Sequence, residues 1–292
     1  MVNYHQMEKA IKKTLLYGDI FDFPMKAWEI HKWLINKKCS LRDVERGLNK
    51  LSDKKQVTSN KGYYSVGRKR LVRQRIKREE VSKRYFRQAY WVSMLFKIIP
   101  WVKLTGVSGS VAMENASASD DIDFFVITQR NRLWISRLFF LLILELIDKR
   151  RKRGEDLKKV KGKICINLIL DGDSLSFKTR DVYIAHEILQ MRVLWQREGV
   201  YQKYLEENSW ALEMLPNWGT SEKIIQNSKL KTQNSDFKIF DVIEALAKWM
   251  QLRYMGGTEG KERIENGALF FHPQDYREKV LKDFKKKLAN LS

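Results

Sequence analysis

A chain of 292 residues is long enough for two domains, and 43% hydrophobic residues with nine Trp supply a real core, which excludes general disorder. The 56 basic against 35 acidic residues leave a net charge of +21, a balance that favours polyanions such as nucleic acid or nucleoside triphosphates and says nothing about fold. Cys39 and Cys165 sit in unrelated contexts without metal spacing, which reads as reduced thiols of a cytoplasmic protein. The amino terminus lacks a signal-peptide pattern. The most apolar stretch, residues 133–147, contains Arg137 and Glu145 and falls short of the roughly 17–25 residues of a membrane span, so no membrane partner is expected.

In chain order, Met7, Ile11, Thr14 and Leu15 lie at helical spacing over residues 7–17, and Gly18 stops that helix. Residues 19–24 form a turn with large apolar side chains to bury. A second helix follows Pro24, with Ala27, Ile30, His31 and Leu34 on one side, and ends near Lys37 and Lys38. A third begins at Ser40 as N-cap, with Asp43 in its first turn and Leu41, Val44, Leu48 and Leu51 on one face. Residues 56–59 and 62–66 flank Asn60 and Lys61 as a short hairpin. Three short helices and a hairpin over residues 1–67 resemble a winged helix-turn-helix. The resemblance implies nucleic-acid contact through Arg42, Arg46, Asn49 and Lys50 of the third helix and Lys54, Lys55 and Lys61 of the hairpin. Such modules also serve protein contacts, so the fold alone leaves both open.

Residues 68–99 contain no helix breaker. Arg68, Lys69, Arg70, Arg73, Arg75, Lys77 and Arg78 come first, and Val81, Tyr85, Ala89, Val92 and Phe96 form a later apolar stripe. This predicts one long connecting helix whose basic half either guides a nucleic-acid backbone or is simply solvated. Pro100 ends it.

The most informative stretch is residues 106–128. An apolar run reaches a corner at Ser108, Gly109 and Ser110, a short helix follows over residues 111–116, and a second apolar run carries Asp121 and Asp123. Strand side chains alternate, so these two carboxylates share a face and offer hard oxygen ligands to a divalent ion. Asp120 falls on the opposite face and reads as the turn residue before the strand. A corner without Cβ lets backbone N–H groups close on a phosphate.

Gly109-Ser110 followed by Asp121-Ile122-Asp123 resembles the signature of the nucleotidyltransferase superfamily related to DNA polymerase beta, over about residues 100–170. The resemblance implies an α+β fold with a mixed sheet flanked by helices. It implies that Ser108, Gly109 and Ser110 hold the phosphates of a nucleoside triphosphate, ATP by expectation, and that Asp121 and Asp123 hold Mg²⁺. The reaction implied is transfer of a nucleoside monophosphate to a hydroxyl.

Residues 134–147 then read as an apolar crossover helix, 149–163 as a charged link with nine basic residues, and 164–170 as a buried strand. In the superfamily a third acid sits on this strand and acts as the base. Here the expected position carries Asn167, whose amide can ligate a metal or hydrogen-bond a hydroxyl but cannot usefully take a proton at neutral pH. Asp171 shares its parity but lies about 13 Å further along. A catalytically impaired nucleotide- or nucleic-acid-binding regulator is therefore the alternative to an enzyme. Residues 181–292 read as a helical region after the 100–180 core. It comprises a helix over 181–197 with Ile184, Ile188, Met191 and Leu194 in a stripe, a polar loop over 220–235, helices over 237–255 and 276–291, and an apolar turn holding His272.

Overall fold

Ser40 caps its helix as the sequence requires. Its Oγ accepts from Asp43 N at 3.3 Å and Asp43 reaches back to Ser40 N at 3.1 Å, which satisfies two otherwise orphaned donors. The computed structural model describes residues 4–66, 71–152, 155–156, 160–220, 238–256, 263–265, 267–270 and 274–289. Arg68, Lys69, Arg70, His272 and most of the expected 220–235 loop lie outside the described residues. The structure is mixed α and β.

The amino-terminal elements are α1 (Tyr4–Asp19), β1 (Met25–Lys26), α2 (Ala27–Lys32), α3 (Leu41–Asp53), β2 (Thr58–Asn60) and β3 (Tyr63–Ser65). Met7, Ile11, Leu15, Ile30, Leu34, Val44, Leu48 and Leu51 close one apolar cluster between the three helices. Lys61 and Gly62 both have positive φ, 50° and 78°, which lets two residues connect β2 to β3 with the twist of a hairpin. The two-residue β1 adds antiparallel to β3, a strand too short for any periodicity to announce. Helix α2 stops five residues short of the expected Lys37. The chain turns there through Asn36 at φ 58°, whose N–H donates to Met214 O at 2.7 Å.

Helix α4 (Leu71–Phe96) leads into a six-stranded sheet. Its strands are β4 (Val102–Val107), β5 (Ile122–Thr128), β6 (Ile164–Asp171), β7 (Arg192–Gln196), β8 (Arg263–Glu265) and β9 (Ala268–Phe270), in the order β7-β4-β5-β6-β9-β8. Among the described strands only β5 and β6 pair in parallel, and the apolar helix α6 (Leu133–Leu146) makes the crossover between them. Side-chain alternation on β5 divides the core. Phe124 and Val126 enter a cluster with α4, α6 and α10 (Lys238–Gly256). Phe125 and Ile127 enter another, with α7 (Val182–Gln190), α8 (Val200–Glu207), α9 (Trp210–Met214) and α11 (Gln274–Ala289). Short α5 (Gly109–Ala112) sits at the corner.

Residues 181–197 are not one helix. Asp181 caps α7, accepting from Ile184 N at 2.9 Å, and after Gln190 the chain extends into β7, which pairs antiparallel with β4. Val193, Leu194, Trp195 and Gln196 are all buried, and a strand covered on both faces carries consecutive apolar residues that also satisfy a helical stripe. The sheet therefore extends beyond residues 100–180. β7 flanks β4, and β9, with Phe270 at its end, flanks β6. No helix among the described residues is long and apolar enough to cross a membrane.

Candidate functional site

β4 delivers Ser108 and Gly109 to the end of the sheet where β5 begins, because Val107 pairs with Phe124 and Ser108 N donates to Asp123 O at 2.9 Å. Gly109 has φ +61°, and a Cβ there would stand 2.7 Å from Asp123 Oδ2. Only glycine satisfies both the left-handed backbone and that approach. Asp120 is the turn residue expected, but it lines the same cavity as Asp121 and Asp123 instead of facing away, because β5 begins only at Ile122 and strand alternation does not reach it. Its carboxylate accepts from Ser117 N at 2.9 Å, from Ser117 Oγ and from Ser110 Oγ at 3.1 Å, which ties the corner to the turn before β5.

Asp121 and Asp123 converge as their spacing predicts, and the third group beside them is the Cys165 thiol. Single ligand atoms of the three lie within 4.8 Å of one another. Burial, then the charge of Asp121, pushes the Asp123 carboxyl up to about 8, while Arg151 pulls the other way. The Arg151 guanidinium donates to Asp121 Oδ2. The same burial and the two neighbouring carboxylates push the Cys165 thiol far above its ordinary value, so it is a neutral S–H at physiological pH.

Asn167 does not take the place expected for a third acid. In the parallel register Asp123 faces Cys165, Phe124 faces Ile166 and Phe125 faces Leu168, which leaves Asn167 as the extra residue of a bulge. There it is buried, with Nδ2 3.5 Å from Ser108 Oγ, supporting the corner from below instead of joining the acids. Asp171 pairs with Thr128 at the far end of β5 and accepts from Asn131 N at 2.8 Å and Asp173 N at 3.1 Å, a loop-holding role away from the acid pair.

The site opens into a cavity of about 260 Å³. Gly109, Ser110, Asp120, Asp121 and Asp123 form its acidic part. The remaining wall includes Tyr17, Phe21 and Trp33 from the amino-terminal elements, Tyr183 and His186 from α7, and Tyr276 from α11. The imidazole of His186 stacks on Tyr17 at 4.5 Å between ring centroids and tilts against Trp33 at 5.0 Å. Burial drops its pKa to about 3, so it is neutral, and its buried Nε2 has no hydrogen-bond partner. None of these ring residues belongs to a local motif. Their one sequence signal is the need of the 19–24 turn to bury Phe21 and Phe23.

Two of the arginines expected to meet a nucleic-acid backbone are structural. Arg75 is fully buried, bonded to Glu29 at 2.8 Å, Glu79 at 3.0 Å and Glu114 O at 2.7 Å, with its guanidinium 4.4 Å from the centre of the Phe23 ring. Arg78 reaches Asn115 Oδ1 at 3.3 Å and Asp22 O at 3.4 Å. Both join the amino-terminal module to the loop after α5. Arg73 and Lys77 are exposed, as are Arg42, Arg46, Asn49, Lys50, Lys54, Lys55 and Lys61.

The sequence matches no family model and no curated protein, so the functional reading rests on this geometry.

Proposed function

We propose that the chain binds a nucleoside triphosphate with Mg²⁺ at this corner and transfers the nucleoside monophosphate to a hydroxyl acceptor. The observation that carries the reading is the approach of Gly109 to Asp123. It sets the glycine backbone of the corner directly against Asp123, and so beside the acid pair, at one end of a cavity. Asp121 and Asp123 offer hard oxygens suited to Mg²⁺, whereas the neutral thiol of Cys165 is a poor ligand for it. Burial and then the like charge of Asp121 raise the Asp123 pKa, and a bound cation would relieve both by favouring the charged form. Magnesium, when bound, supplies charge stabilisation at the phosphates. Ser110 brings a hydroxyl to the corner and Gly109 admits the close approach, while Ser108 is buried and accepts from Asn167 Nδ2. In the transfer the acceptor oxygen bonds to the α-phosphorus, the bond to pyrophosphate breaks, and the hydroxyl proton leaves to solvent or to a carboxylate.

A second reading, a nucleotide-binding regulator with impaired chemistry, draws support from Cys165. A neutral thiol beside the acid pair cannot act as the base a third carboxylate would provide. For the amino-terminal elements, the order of three helices and a hairpin and the exposed basic face of α3 support a winged-helix reading with a polyanionic partner. The charge balance and the thiols support a cytoplasmic location.

The test is thermal melting with Mg²⁺ and ATP, followed by assay for labelled product. Asp121→Asn and Asp123→Asn are expected to abolish the magnesium-dependent gain in melting temperature while leaving the protein folded. An undiminished gain in both variants would falsify the metal role.

A further inference from the structure

We propose that the ring-lined part of the cavity is the subsite for the base of the nucleotide, and that the amino-terminal module supplies half of its walls. The proposal rests on reading the acidic corner as a triphosphate site. It adds the partner of the uncharged end of that ligand.

Among the described residues, no lysine or arginine lines the cavity, while Asp120, Asp121, Asp123 and Glu187 do. Away from the corner the wall therefore offers no positive side chain to a phosphate and suits an uncharged group. Corner and rings together enclose about 260 Å³, just under the roughly 300–1,000 Å³ of ordinary small-molecule pockets, so the ring-lined part suits a single ring system. Its wall is correspondingly flat and aromatic, with Tyr17, Phe21, Trp33, Tyr183 and Tyr276 among its residues. Rings of this kind hold any nucleobase by stacking.

The second, independent observation is His186. It belongs to the cavity wall, is only 5% exposed, and has its imidazole stacked on Tyr17 and tilted against Trp33, so it holds in place two of the rings offered to the base. The module's role follows. Its cavity-facing side binds substrate, whatever its basic outer face contacts.

The experiment compares Mg-ATP with magnesium tripolyphosphate, which has the phosphates and no base, by calorimetry on the full chain. Wild type is expected to bind both, ATP more tightly. Tyr276→Ala, at an exposed position, removes one ring of the wall and should weaken ATP by about 5–150-fold while leaving tripolyphosphate unchanged. Phe21→Ala, at a partly exposed position, should weaken ATP by about 5–150-fold with the same selectivity. Equal affinity of wild type for the two ligands, or variants that bind ATP as wild type does, would overturn the base subsite and leave the phosphate corner standing. Failure of wild type to bind either ligand would remove the triphosphate reading itself, and the base subsite with it.

Discussion

The two parts of the cavity wall are built in opposite ways. The acidic part comes from Gly109 to Asp123, a single stretch that doubles back through one short helix and one turn, and its geometry is fixed by local hydrogen bonds such as Ser110 to Asp120. The aromatic part gathers Tyr17, Phe21 and Trp33 against Tyr183, His186 and Tyr276, residues with no common segment. Its placement depends on how whole elements pack. A site can thus pair a chemical end that tolerates changes elsewhere with a recognition end that every packing change reaches.

The sharpest way to break this arrangement is Arg75→Ala. Arg75 ties α4 to Glu29 in α2 and to Glu114 beside the corner, with no exposure of its own. Removing it leaves Glu29 buried without its cation, a change that costs about 3–5 kcal/mol at a buried pair. Denaturant unfolding measures that loss. In the variant protein that remains folded, ATP affinity should fall more than tripolyphosphate affinity, because the corner meets the joint only through Glu114 O while the aromatic wall depends on how α2 is held.

Cys165→Asp alters the acidic part alone. A third carboxylate beside Asp121 and Asp123 adds a hard oxygen, so magnesium affinity should rise by about tenfold, and the protein without metal should melt lower because another charge is buried among like charges. Magnesium titration followed by melting with and without the ion checks both signs. A variant equally destabilised in both conditions would place Cys165 outside the ion's reach.

The acidic part also carries a pH slope. The Asp123 pKa rises from its ordinary 3.8 to about 8 in the folded chain, so between about pH 4 and pH 8 the native state holds a proton that the unfolded state has lost. Unfolding free energy contributed by this group is therefore full below about pH 4 and declines as pH rises toward 8. Asp123→Asn should flatten that slope in melts without metal. With wild type, magnesium affinity should climb with pH across the same window, since the ion must displace the proton.

The contrast also explains what could be read from the sequence. Gly109-Ser110 and the Asp121-Asp123 pair were legible because strand alternation and a left-handed corner are local rules. Asn167 was misplaced because a bulge shifts parity by one residue, and nothing in the run from Ile164 to Leu170 marks where the extra residue falls. β7 escaped for a related reason, its buried residues fitting a helical stripe as well as a doubly covered strand. Arg75 looked like one more cation in a basic run. Its burial is a property of the Glu29, Glu79 and Phe23 around it, and Glu29 and Phe23 come from a different part of the chain.

The contact between α1 and α11 bears on how the molecule is made. Lys287 bonds Asp19, 268 positions away, and Phe284 packs edge-on against Tyr17 at 5.2 Å between centroids. During synthesis at about 5–20 residues per second, Tyr17 leaves the ribosome well ahead of α7 and α11. The helices of the amino-terminal module can close on their own cluster meanwhile, but the rings that face the cavity stay wet until residues 183–190 and then 274–289 arrive. The newborn chain carries its acid pair before it has the pocket beside it, and the two become one site only when the late helices dock.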